Sequence, residues 1–96
     1  EQEAVRWWQR AAAQGFAPAQ SSLGRTLVTG GQGVTPDKTQ AYVWLALSAG
    51  QGDQEADQQR ATLVKQLQPD QLAQAKRLVK EWKPARSRAV LSRKAP

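Results

Sequence analysis

Eight carboxylates, Glu1, Glu3, Asp37, Asp53, Glu55, Asp57, Asp70 and Glu81, are the side chains of this 96-residue chain suited to acid–base work or to holding a cation, and it contains neither cysteine nor histidine. Most of the eight fall where helical patterns begin, positions at which a carboxylate caps free backbone N–H groups and opposes the helix dipole. Asp53, Glu55 and Asp57 alternate along one such pattern, and alternate positions on a helix point in different directions, so they do not gather around a divalent cation. Without Cys or His there is no disulfide, no thiolate or imidazole metal site and no Cys- or His-based catalysis. The run Gly30-Gly31-Gln32-Gly33 has the glycine content of a phosphate-cradling loop, yet no strand precedes it and no Gly-Lys-Ser/Thr follows. No catalytic, cofactor-binding or metal-binding residue is expected, and the chain reads as non-enzymatic.

The elements that carry these residues are set by an internal repeat. Residues 4–19 recur at 41–56, an offset of 37, with Ala4, Trp7, Ala12, Gln14, Gly15 and Ala19 facing Ala41, Trp44, Ala49, Gln51, Gly52 and Ala56. A period of this length belongs to helix-turn-helix arrays, in which each unit buries its apolar face only against its neighbours. Punctuation divides the chain into five helices. The first runs from about residue 3 to 14, closed by Gly15 as a left-handed cap. The second has Pro18 in its first turn and ends at Gly30, with Leu23 and Leu27 one turn apart and Gly24 allowing close backbone approach. A reversal through Gly30-Gly31-Gln32-Gly33-Val34-Thr35-Pro36 follows, anchored by Val34. Asp37 and Gln40 then open a third helix from Lys38 to about Ala49. Asp53 caps a fourth, reaching about Leu67, and Pro69 starts a fifth, whose buried face is Leu72, Ala75, Val79 and Trp82.

The pattern Ala19-x-x-x-Leu23-Gly24-x-x-Leu27-x-x-Gly30, then Gly33-Val34-x-x-Asp37, Ala41-x-x-Trp44-x-x-x-x-Ala49-x-x-Gly52 and Ala56 resembles the SEL-one-like repeat, a relative of the tetratricopeptide repeat. It departs from the family in a glycine loop one residue longer and in Leu27, where the family usually has Tyr. The resemblance implies an all-α, α/α superhelical solenoid of helix-turn-helix repeats with a C-terminal capping helix. It also implies a non-catalytic adaptor or scaffold that holds other proteins, of a kind many bacteria contain. A cysteine-rich branch linked to cell-wall chemistry is a poor match for a chain without cysteine. The expected organisation is a repeat region over 1–82, its capping helix over 69–82, and a tail over 83–96. Because the chain opens inside a helical pattern, upstream repeats are expected as well.

Charge is concentrated at one end. Residues 1–75 carry six basic and seven acidic side chains, and residues 76–96 carry eight basic and one acidic, which accounts for the net charge of +6. The tail, with Arg86, Arg88, Arg93 and Lys94, is a basic arm suited to an acidic partner or, alternatively, to electrostatic contact with nucleic acid or an anionic membrane surface. It has no aromatic residue, so any nucleic-acid contact through it is to phosphates. It is expected to add little to folding. No apolar run approaches the roughly 20 residues that span a bilayer, and no signal-peptide pattern opens the sequence; the compartment stays open.

Partner-binding residues follow from the resemblance, in which the first helix of each pair lines the concave surface. On the second helix the positions turned away from Leu23 and Leu27 are Ser21, Arg25 and Val28, and the offset of 37 adds Gln58, Thr62 and Lys65. Such a face suits an extended peptide, with an acidic side chain meeting Arg25 or Lys65; plain solvated surface is the competing reading. Trp7 and Trp44, at equivalent positions, are expected to fill equivalent packing slots. Trp8 is expected to be the exposed tryptophan and a possible contact for a partner.

Overall fold

The computed structural model describes residues 2–31 and 33–84, with side chains from Val5 onward in the first helix. Five helices follow in order: α1 Gln2–Ala13, α2 Ala17–Thr29, α3 Lys38–Gly50, α4 Gln54–Val64 and α5 Pro69–Glu81, with no strand among the described residues. The expectation of an all-α, helix-turn-helix architecture is met. Residues 85–96, and with them the expected contacts Arg86, Arg88, Arg93 and Lys94, lie outside the described residues.

The repeat is visible in the turns. Gly15 adopts φ 98°, and its N–H and that of Phe16 donate to the carbonyls of Ala12 and Ala11 at 3.0 Å each. Thirty-seven residues on, Gly52 adopts φ 102°, and Gly52 and Asp53 donate to Ala49 and Ser48 at 3.0 and 3.3 Å. Both are the doubled C-terminal bond that a left-handed residue after a helix makes possible. Within the loop after α2, Gly30 and Gly33 also take positive φ, 78° and 80°. A Cβ on Gly30 would run into the Pro36 ring, so the reversal depends on glycine there twice over.

Helix α3 is the centre of the packing, lying against α2, α4 and α5. Its residues Ala41, Tyr42, Val43 and Leu45 are buried, and Leu45 is fully buried. Gly24 of α2 makes the approach possible: a Cβ there would sit 2.8 Å from Leu45 Cγ and 3.3 Å from the Ala41 carbonyl oxygen. Polar bonds fasten the turns together. The fully buried Gln20 donates through Nε2 to the Ala12 carbonyl at 3.1 Å and accepts from Gln51 Nε2 at 2.9 Å. This links the end of α1, the start of α2 and the end of α3. The Ser48 hydroxyl stands 2.8 Å from Asp53 Oδ2 and 3.0 Å from the Ala17 carbonyl, two acceptors for its one proton.

Three expectations are corrected. Trp7 is 60% exposed rather than packed in the slot that Trp44 occupies. Trp44 is half-buried because Trp82, from the end of α5, stands edge-on against it. No described helix covers Trp7 in that way, and it leans on Phe16 instead. Conversely Trp8, expected to be exposed, is half-buried and packs on the core, one turn from each of Val5 and Ala12 on the buried side of α1. The fourth helix also ends earlier than expected, at Val64. The N–H groups of Lys65, Gln66 and Leu67 donate to carbonyls three residues back, tightening the last turn before Pro69 forbids its continuation.

Candidate functional site

Between α2 and α4 lies a cleft of about 230 Å³, with walls of Arg25, Val28 and Thr29 on one side and Gln59, Thr62, Leu63 and Gln66 on the other. Leu45 of α3 forms its floor. Gln59, Thr62 and Leu63 fall at spacings of three and four on one face of α4, and Gln66 continues that spacing in the turn that follows the helix. Helix α4 is held at its start by Asp53, whose Oδ1 accepts from the Ala56 N–H at 3.1 Å. That N–H, then the Ser48 hydroxyl, hold the Asp53 carboxyl below its ordinary value. On the outer side of α4, Arg60 donates to Asp57 Oδ1 through Nε at 3.1 Å and Nη2 at 2.8 Å, and lies 5.9 Å from the Tyr42 ring centroid.

Two features of the cleft bear on binding. Gln59 Oε1 is buried without a hydrogen-bond partner in the fold. A buried acceptor left unpaired costs free energy, on the order of 1–3 kcal/mol, that an incoming donor recovers. Arg25 is the cation of the lining; its side chain is 45% exposed and reaches Glu55 Oε1 at 3.5 Å. A pair that long and that exposed is weak, so the guanidinium remains available to another carboxylate.

Of the expected partner-binding residues, Arg25, Val28 and Thr62 line the cleft. Ser21 does not belong to an open face: it is buried, and its hydroxyl donates to the Pro18 carbonyl at 3.1 Å. Gln58 on α4 and Lys65 just past its end are exposed but outside the lining. The reason is geometric. An offset of 37 carries a position to the equivalent place on the next unit, and that place lines the cleft for Thr62, the counterpart of Arg25, but not for Gln58 and Lys65, the counterparts of Ser21 and Val28; the offset does not name the other residues that face across the cleft. Gln59, Leu63 and Gln66 were missed on that account, and Thr29 because it follows Val28 at the helix end. The three carboxylates Asp53, Glu55 and Asp57 each serve a different neighbour, Ala56 with Ser48, Arg25, and Arg60. Among the described residues no three metal-ligating side chains converge.

Helical hairpins repeating at 37 residues, joined by matched glycine turns and presenting a cleft between successive first helices, define an α/α repeat protein. The family model of the Sel1 repeat matches residues 1–16 and 17–53, and the chain belongs to the Sel1 repeat family. Sel1 repeats mediate protein–protein interactions, which supports a non-enzymatic interaction module. A search of curated proteins finds no match to the chain.

Proposed function

We propose that the protein is an adaptor whose cleft between α2 and α4, the concave side of the array, holds an extended acidic segment of another protein. The observation that carries this reading is the cleft itself, which has Arg25 on one wall and, on the other, Gln59, whose Oε1 is buried without a partner in the fold. A turn of the Gln59 side chain toward the cleft would let its oxygen accept from a peptide N–H, and such main-chain bonds are how extended peptides gain affinity. Val28, Leu45 and Leu63 supply an apolar floor for one side chain, and Arg25 supplies charge-assisted recognition of a carboxylate. Lys65, outside the lining, has at most a steering role.

Panning a displayed library of random peptides against the full chain tests this. The expected outcome is enrichment of sequences with an acidic residue, whose binding is lost when Thr62→Trp fills the cleft and retained when Trp7→Ala alters a remote face. Enriched peptides that bind the filled variant as well as the parent chain would place the site elsewhere.

A further inference from the structure

Within the chain, one repeat docks on the next through contacts whose sequence counterparts lie at the two ends of the array. Helix α3 lies on α2, where the Ser48 hydroxyl stands 3.0 Å from the Ala17 carbonyl and Gln51 Nε2 donates to Gln20 Oε1 at 2.9 Å. Trp82, edge-on to Trp44, covers the turn before α2, since a Cβ on Gly15 would sit 3.9 Å from its Cη2. The offset of 37 puts the counterparts of the docking residues on α1: Trp7 for Trp44, Ala11 for Ser48 and Gln14 for Gln51. It puts the counterparts of the receiving residues at the start of α4: Gly52 for Gly15, Gln54 for Ala17 and Asp57 for Gln20.

Both counterpart surfaces are open. Ala11, Gln14 and Gly15 line, with Trp7 and Phe16, a hollow of about 430 Å³. Trp7 is 60% and Phe16 51% exposed, and paired exposed aromatics of this size mark a contact surface. Their rings meet edge-on, 6.4 Å apart at 84°, as those of Trp44 and Trp82 do. Phe16 does nothing for its helix: it stands at the N-cap of α2 without a side-chain bond, where the next unit has the capping Asp53. At the other end Gly52, Gln54 and Asp57 line a second hollow, of about 410 Å³, with Ala46, Ala49 and Gly50. A Cβ on Gly50 or Gly52 meets nothing within 4 Å among the described residues, in contrast to Gly15.

We infer that copies of this chain stack head to tail, α1 of one copy docking on the α3–α4 turn of the next as α3 docks on the α1–α2 turn within the chain. In that contact Gln14 donates to Asp57, whose Oδ2 is left over because Arg60 takes Oδ1 alone, and Trp7 and Phe16 cover Gly50 and Gly52. The two ends match in charge. Helix α1 carries Arg6 and Arg10 against Glu3, while α4 and its cap carry Asp53, Glu55 and Asp57 against Arg60. A second copy is the occupant because its α1 repeats the spacing of Trp44, Ser48 and Gln51, the residues that make the internal contact. The surfaces differ, so the contact is heterologous and each copy keeps one of them for a further copy, lengthening the solenoid. It is looser than the internal contact, since Ala61 stands in place of Gly24 and Trp8 in place of Leu45, and the helices approach less closely. Association is therefore reversible and rises with concentration. The inference does not rest on the α2–α4 cleft, none of whose lining belongs to either hollow.

Sedimentation velocity of the full chain over a range of concentrations tests the inference. The average mass is expected to rise with concentration beyond that of one chain, through dimers to larger species. The double variant Trp7→Ser, Phe16→Ser removes one surface and should weaken association about tenfold or more, because both rings lose their burial. Gly50→Arg fills the opposite hollow, where a side chain meets no neighbour in the fold, and should weaken association to a similar degree. An equimolar mixture of the two variants should form a one-to-one dimer and nothing larger, since each supplies the surface the other lacks. Should the aromatic variant fail to fold, Gln14→Glu, which sets a like charge against Asp57, takes its place. Thr62→Trp should leave association unchanged. The inference is overturned if the parent chain stays monomeric at every concentration, if Gly50→Arg associates as well as the parent, if the mixture stays monomeric, or if Thr62→Trp abolishes association.

Discussion

The indole of Trp82 meets that of Trp44 edge-on, with centroids 6.4 Å apart and planes at 78°. This contact ties the end of α5 to the middle of α3, and Pro84 beyond it carries the chain past Gly15 at the α1–α2 turn. Helix α5 thus lies on α3, and it gives one of two repeat-equivalent tryptophans a cover that the other lacks.

Trp44→Ala should therefore lower stability by about 2–3 kcal/mol, somewhat less than a fully buried tryptophan, while Trp7→Ala should cost about 0.5 kcal/mol or less. Chemical denaturation of both variants measures the contrast. A Trp44, Trp82 double-mutant cycle should return a coupling of about 0.5–1.5 kcal/mol, as expected for an edge-to-face pair. Equal losses at Trp7 and Trp44 would mean that the two positions are packed alike.

Gly24 is expected to tolerate no side chain. Alanine is the better helix former by about 1 kcal/mol, but its Cβ would sit 2.8 Å from the fully buried Leu45 Cγ. Overpacking of that kind typically costs about 1–3 kcal/mol, so the net change for Gly24→Ala should be destabilising. Thermal unfolding decides the sign. Pairing it with Leu45→Ala, which vacates the clash, should make the second change cost less than it does alone.

Asp53 links stability to pH. Its folded-state pKa is lowered, first by the Ala56 N–H and then by the Ser48 hydroxyl, so its contribution is fully present above the unfolded value of about 3.9 and is lost as pH falls through the lowered folded value. Asp53→Ala should cost about 1 kcal/mol near neutral pH by removing the cap of α4. The gap between variant and parent should close in acid. A gap that stays constant from neutral pH down to about 2 would contradict the assignment.

Gln59 separates binding from folding. Replacing an unpaired buried acceptor with an apolar group of similar size is neutral or stabilising, so Gln59→Leu should raise the stability of the free chain by up to about 1 kcal/mol. The same change should weaken capture of a cleft-binding peptide. Arg25→Ala should likewise weaken capture while leaving stability within about 0.5 kcal/mol, because the Arg25–Glu55 pair is long and exposed.

Helix starts and turns were legible because the devices that make them are local. Gly15, Gly30, Gly33 and Gly52 sit where left-handed backbone is needed, and Asp37 and Asp53 sit where an N–H needs an acceptor. Gly24 was legible as a close approach because a bare position one residue after Leu23 on a buried stripe has no other use. What escaped depends on neighbours. The burial of Trp7 and Trp8 hangs on which helices flank α1, which a repeat offset does not encode. On the α4 side of the cleft Thr62 was legible and Gln59, Leu63 and Gln66 were not, because translation along an array carries over the positions of one helix and does not name the others that face them. The capture of Gln51 by buried Gln20 escaped as well, since a match at Gln14 and Gln51 signals equivalence without naming the partner.

The central claim is that the α2–α4 cleft is where another protein's extended segment binds, and amide chemical-shift mapping with an enriched acidic peptide tests it most directly. The account predicts the largest changes at Arg25, Val28, Thr29, Gln59, Thr62, Leu63 and Gln66, with the Gln59 side-chain amide among them. Changes centred on Trp7, Gln14 and Phe16, with the cleft silent, would contradict it.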